Sequence, residues 1–226
     1  MTRLIISENK LSCELAKQAV ITKCCGKYQS GAKPCLLNKS CGFPCLKKRR
    51  LKKYVKELFD KYYPEGKKNE EETKLRKLLI KHSRDVADRA LRIVDAHPEL
   101  HLDRQFVEDG ALLHDIGIFM TDAPGIYCHG NRPYIEHGKI GGEILRKEGY
   151  DEALARVCER HTGTGLPGYE PETMEEQVIC YADKFFSKSH PERVRTVEQT
   201  AQSLRKFGDE GVEKFLKWSK MFENEC

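Results

Sequence analysis

Apolar residues along this chain recur mostly three and four positions apart, the spacing that lines one face of a helix. Leu51, Tyr54, Val55, Leu58 and Phe59 form the first such stripe, and Pro64 and Gly66 interrupt it. A longer stripe over 70–96 is carried by Leu75, Leu78, Leu79, Val86, Ala90 and Ile93, and His97-Pro98 stops it. Asp103 stands where an N-cap belongs, and the pattern carries its helix on to Gly117. Residues 119–136, with Pro124, Gly125, Gly130 and Pro133, read as a long loop. A helix opens near His137 and ends at Gly149, and a short one follows the cap Asp151 and ends at His161. Thr173 and Glu176 make a Thr-x-x-Glu capping box ahead of Val178, Ile179, Ala182, Phe185 and Phe186. Two amphipathic helices, near 192–206 and 209–223, complete the chain. No hairpin signature or alternating strand is evident, and the fold class predicted is all-α, a helical bundle.

Composition divides the chain in two. Residues 1–56 carry a net charge of +12 and the remainder −7, for a total of +5. Six of the ten cysteines, Cys13, Cys24, Cys25, Cys35, Cys41 and Cys45, fall in the first 45 residues. The expected organisation is a Cys-rich basic extension over 1–50 and a helical domain over 51–226. No run of about 18 apolar residues exists, so no transmembrane helix is expected. The first 20 residues are broken by Glu8, Lys10, Glu14 and Lys17, unlike a signal peptide, and a cytoplasmic location is expected.

The chemistry enters where polar residues interrupt apolar faces. In "ALLHDIGIF", His114 and Asp115 lie among Leu112, Leu113, Ile116, Ile118 and Phe119. A buried carboxylate is costly unless it is paired or binds a metal. His82 lies on the apolar face of the long helix, His137 opens the helix after the loop, His161 ends the short one, and Asp183 follows Ile179 by one turn. Each alone reads as a hydrogen-bonded core residue or an ion-pair partner. Together, six metal-capable residues from five helices match what a dinuclear site needs, with a carboxylate between two cations and imidazoles completing each shell.

The ordered set His82, His114-Asp115, His137, His161 and Asp183 resembles the HD-domain superfamily of metal-dependent phosphohydrolases. "HDIG" is a named signature of one branch, and "HSRDVADRAL", "EHGKIGGEIL", "ERHTGTG" and "YADKFF" agree with it over about residues 54–222. His137 and His161 match the small stand-alone branch with a dinuclear site. The resemblance implies an all-α core of about five helices and two divalent metal ions: iron, manganese, nickel or cobalt. It implies that Asp115 bridges the ions, with His82, His114 and Asp183 on one and His137 and His161 on the other. The implied reaction is attack on phosphorus by a metal-bridging hydroxide. The implied substrate is a small phosphorylated molecule, foremost a nucleotide. The further signatures of HD-GYP enzymes that cleave cyclic-di-GMP are absent. Two alternatives stay open: a metal- and nucleotide-binding sensor without turnover, and a dinuclear-iron oxygenase of the same superfamily.

Phosphate oxygens beyond the metals call for cationic side chains nearby. Lys184, directly after Asp183, is the first candidate, and Arg132, in "HGNRPY", the second. His129 beside Gly130 is weaker, since an exposed loop histidine needs no function. In the extension, Cys24, Cys25, Cys35, Cys41 and Cys45 offer ligands for zinc or an iron–sulfur cluster, but their spacing matches no common pattern. The run Lys47, Lys48, Arg49, Arg50, Lys52 and Lys53 could contact nucleic acid through phosphates, but a solvated helix start is the better reading of it.

Overall fold

The computed structural model describes residues 52–64, 70–163 and 168–223. The readings made above for the cysteines of the extension and for Lys47–Arg50 lie outside the described residues, as does Thr164 of the "HTGTG" segment. Eight helices are described: α1 (Lys53–Tyr62), α2 (Glu70–Ala96), α3 (Arg104–Leu113), α4 (His137–Lys147), α5 (Glu152–Arg160), α6 (Met174–Asp183), α7 (Val197–Leu204) and α8 (Asp209–Phe222). None is long and apolar enough to cross a membrane.

The caps expected from sequence form. Asp103 accepts hydrogen bonds from the backbone N–H groups of Gln105 and Phe106, Asp151 accepts one from Ala153, and Thr173 and Glu176 close a reciprocal box at the start of α6. Helix α2 packs against α3 and α6, and α4 against α5. Leu79, Val86, Ala90, Leu113, Ile116, Ile140, Leu145, Ile179 and Tyr181 are buried at their centre. Each large aliphatic buried this way contributes about 1.5–3 kcal/mol.

Two expectations need correction. Helix α3 ends at Leu113 and does not continue to Gly117; 114–117 form a turn leading into a 3₁₀ segment, Ile118–Met120. The cause is local. The His114 ring donates from Nδ1 to the Ala111 carbonyl at 2.7 Å, which occupies the acceptor the next helical N–H would use. The chain then tightens through Ile116 N–H to Leu113 O and Ile118 N–H to Asp115 O. Second, short strands exist. β1 (Asp122–Ala123) pairs with β2 (Cys128–His129) inside the long loop, and β3 (Phe186–Ser187) pairs with β4 (His190–Val194), both antiparallel. The last-but-one helix therefore begins at Val197, not near 192, with Thr196 as its cap.

Candidate metal centre

The six predicted residues meet. Ligand atoms of His82, His114, Asp115 and Asp183 lie within 4.8 Å of one another, and so do those of Asp115, His137 and His161. Asp115 belongs to both groups. His82 Nε2 is 3.1 Å from Asp115 Oδ2 and 3.0 Å from Asp183 Oδ1, and His114 Nε2 is 3.1 Å from Asp115 Oδ2. On the other side, His137 Nε2 and His161 Nε2 are each 3.4 Å from Asp115 Oδ1. His114 and Asp115 are completely buried, and the other three histidines nearly so.

Backbone geometry aims the imidazoles. His114, His137 and His161 each place Nδ1 on the carbonyl oxygen three residues earlier, at Ala111, Tyr134 and Cys158, at 2.7, 2.5 and 2.6 Å. A carbonyl only accepts, so each Nδ1 carries the proton and Nε2 faces inward. Two glycines allow the helices to close on one another. A Cβ on Gly117 would lie 2.4 Å from His137 O and 2.5 Å from Gly141 N, and one on Gly138 would lie 2.5 Å from Cys158 O. Bare Cα positions there bring α4 against both the His114–Gly117 turn and α5. The Tyr63 hydroxyl, donating to Ile116 O at 2.7 Å, braces the same turn.

The donor set fits a divalent cation. Burial, followed by the neighbouring His161, pushes the His137 imidazole down to about 3, and burial lowers His161 too. Both are neutral, so their Nε2 atoms are bare lone pairs 3.0 Å apart with a carboxylate oxygen beside them. Three electron pairs converge in a buried space, and a cation satisfies all three. Asp115 Oδ2 contacts the Lys188 ammonium at 2.6 Å, while Asp115 Oδ1 faces only the imidazoles of His137 and His161, at 3.4 Å each. Burial alone would raise this carboxyl and that of Asp183. Lys188 and His114 hold Asp115 well below the usual carboxylate range, and Lys184 and Lys188 do the same for Asp183.

His114 differs from the other two. Burial alone would lower it, but Asp115 and Asp183 raise it to about 9. Below that pH the metal-free site holds a proton that an incoming ion must displace. Metal affinity at the His82/His114/Asp115/Asp183 group is therefore expected to climb by up to about tenfold per pH unit toward pH 9. The group containing His137 is expected to vary little above about pH 6. Competition with a fluorescent chelator across this range measures both, and a flat profile at the first group would contradict the assignment.

Cations surround the mouth of the site. Lys184 donates from Nζ to His161 O at 2.9 Å and lies 3.3 Å from Asp183 Oδ2. Lys188, which sequence reasoning missed, places Nζ 2.6 Å from Asp115 Oδ2. Burial opposes its charge, but Asp115 holds its pKa above the ordinary value. It lies in the β3–β4 turn, five residues beyond Asp183, where no periodicity flags it. Its only signal is a second lysine in "DKFFSK". Tyr134 stacks on His137 with ring centroids 4.6 Å apart. A cleft of about 440 Å³ opens on this centre, lined by Asp183, Lys184 and Lys188 among others. Arg132 is not brought to that cleft; its guanidinium is held by Glu136. His129 pairs with Glu71 at 2.9 Å and is half exposed.

A helical bundle with two short strand pairs gathers histidines and aspartates from five elements around one buried carboxylate, an arrangement that could hold divalent metal. Residues 79–187 match the HD domain family, and this segment of the chain belongs to it. That superfamily is one of metal-dependent phosphohydrolases. Among relatives, a tRNA (cytidine(56)-2′-O)-methyltransferase from Picrophilus torridus is 36% identical over 122 residues, covering 49% of this chain and 32% of its own length. Ribonuclease Y from Acidothermus cellulolyticus is 32% identical over 122 residues, covering 51% of this chain and 22% of its own. The chain thus spans a third or less of either relative. The HD domain of the L. monocytogenes phosphodiesterase PgpH superposes with a TM-score of 0.47 at 16% identity, covering 77% of this chain and 90% of that one.

Proposed function

We propose that the protein is a dinuclear metal-dependent phosphohydrolase that cleaves a phosphate ester or anhydride of a nucleotide. The observation that carries this reading is the pair of neutral imidazoles, His137 and His161, whose bare Nε2 atoms face each other and Asp115 Oδ1. This second group beside the first would give two cations a common carboxylate. His82, His114 and Asp183 would hold one ion, His137 and His161 the other, and Asp115 both.

Divalent ions so held supply an acidified water and offset charge on a phosphoryl oxygen. The chain's own groups do the rest. Burial of Asp115 and the histidines keeps bulk water from competing for the reacting centre. Lys188 and Lys184, at the mouth of the cleft, donate to non-bridging phosphate oxygens, and their charge is retained because the two aspartates stabilise it. Tyr134, stacked on His137, fixes that ring and walls the cleft.

Both relatives carry RNA in their names, which favours a nucleotide substrate. The methyltransferase name belongs to a protein three times the matched length. Methyl transfer makes no use of these two His/Asp groups, whereas hydrolysis uses every member.

The test is metal content followed by turnover. Protein purified without chelator is expected to carry about two divalent ions per chain and to release phosphate or a nucleotide from a panel of nucleotides. Two ions with tight nucleotide binding but no product from any of them would favour the sensor. Lys188→Met is expected to keep the metals and lose about a hundredfold in kcat/KM, as removal of one charge-stabilising donor does. An unchanged rate would remove Lys188 from the reaction.

A further inference from the structure

Many arginines and both lysines at the metal centre are neutralised among the described residues. Arg76, Arg89, Arg104, Arg132, Arg146, Arg156 and Arg160 each pair with a carboxylate, and Lys184 and Lys188 pair with the metal-site aspartates. Arg195 and Lys206 line the same cleft and depart from this. Arg195 is half-buried and reaches only a carbonyl, Lys184 O, at 3.4 Å. Lys206 stands over the Phe207 ring, 4.7 Å from its centroid. Neither has a carboxylate partner among the described residues. The only acidic residue lining the cleft is Asp183, itself committed to the metal centre.

Two cations lining one cleft, Arg195 half-buried and Lys206 exposed, with no carboxylate partner among the described residues, attract an anion. The wall is also apolar. Phe186, Phe207, Leu204 and Ile126 line it, and Phe207 is largely exposed, 66%, at its rim. The volume, about 440 Å³, falls in the range of roughly 300–1,000 Å³ typical of sites for small organic ligands and exceeds what one phosphate fills.

We propose that Arg195 and Lys206 form a second anion subsite, and that the preferred substrate carries another phosphate one nucleoside away from the scissile one. The nucleoside between them lies along the apolar wall. This rests on the phosphohydrolase reading for the first phosphate only. The second contact is a property of the cleft and is readable as binding. The shared chemistry is a phosphate-nucleoside-phosphate unit, whether from an oligonucleotide end or from a free nucleoside bisphosphate.

The test is calorimetric titration of the protein as purified with adenosine 5′-monophosphate, adenosine 3′,5′-bisphosphate and the dinucleotide pApA, with phosphate and nucleoside release assayed in the same samples. The bisphosphate is expected to bind about tenfold or more tightly than the monophosphate, as a charge-assisted contact implies. Arg195→Gln and Lys206→Gln, made separately, are each expected to abolish most of that difference and leave monophosphate binding unchanged. A gain for pApA equal to that for the bisphosphate points to an oligonucleotide source, and a gain for the bisphosphate alone points to the free nucleotide. Equal affinity for one and two phosphates in the wild type, or variants that weaken all ligands alike, overturns the proposal. Absence of hydrolysis with the tenfold preference intact would sink the phosphohydrolase reading and leave the subsite standing.

Discussion

Asp115→Asn is expected to strip both metal groups at once and to lower turnover by about three orders of magnitude or more. The substitution is nearly isosteric, so the bundle is expected to keep its helical content. What disappears is the one negative charge that both groups share. Without it, His137 and His161 lack an anionic partner, and His82 and His114 keep only Asp183. The amide also leaves Lys188 without the negative charge it contacts at 2.6 Å, so an uncompensated positive charge stands where cations would bind. His161→Ala is the control, because it touches only one group. Elemental analysis is expected to find about two ions per chain in the wild type, about one in His161→Ala, and essentially none in Asp115→Asn. Wild-type metal content and rate in Asp115→Asn would mean that the bridge has been misassigned.

The second large effect concerns a residue with no chemistry of its own. Gly117→Ala places a methyl group 2.4 Å from His137 O and 2.5 Å from Gly141 N, both backbone atoms of α4 that no rotamer change can move aside. Either α4 is pushed outward or the turn after α3 unwinds. Overpacking of this kind costs about 1–3 kcal/mol and more when backbone must shift. A loss of about 3 kcal/mol corresponds to a melting temperature lower by roughly 6–12 °C for a domain of this size. His137 rides on the first turn of α4, so its metal is expected to be lost before the other. Thermal melts with metal counting check both parts. A melting temperature within about 2 °C of wild type would show that the contact relaxes freely.

Much of the centre was legible because of where its residues stand on helices. His82 interrupts an apolar stripe, His137 and His161 occupy helix ends within two residues of a glycine, and Asp183 closes a capped helix. These positions are set by local periodicity, which sequence carries. Lys188 was not legible because a two-residue strand and a turn have no period to read. β4 escaped for the same reason: His190–Val194 is exposed along its whole length and shows no alternation. The end of α3 was overextended because Ile116 and Ile118 continue the apolar run, while the stop comes from a side chain bonding to the backbone. Arg132 looked suited to phosphate because it neighbours glycine and proline, but Glu136 one turn later takes its charge.

The way the histidines are oriented has a consequence for how this protein tolerates change. The hydrogen-bond acceptors that hold Nδ1 of His114, His137 and His161 are main-chain carbonyls at Ala111, Tyr134 and Cys158, so no acceptor side chain exists there for a mutation to delete. Each imidazole is aimed by the helix geometry that any residue at those three positions can supply. Drift can therefore rewrite the surroundings extensively while the inward lone pairs keep their direction. The vulnerable points become the places where two backbones must nearly touch. In such a centre, inheritance protects spacing and small residues more than it protects neighbours.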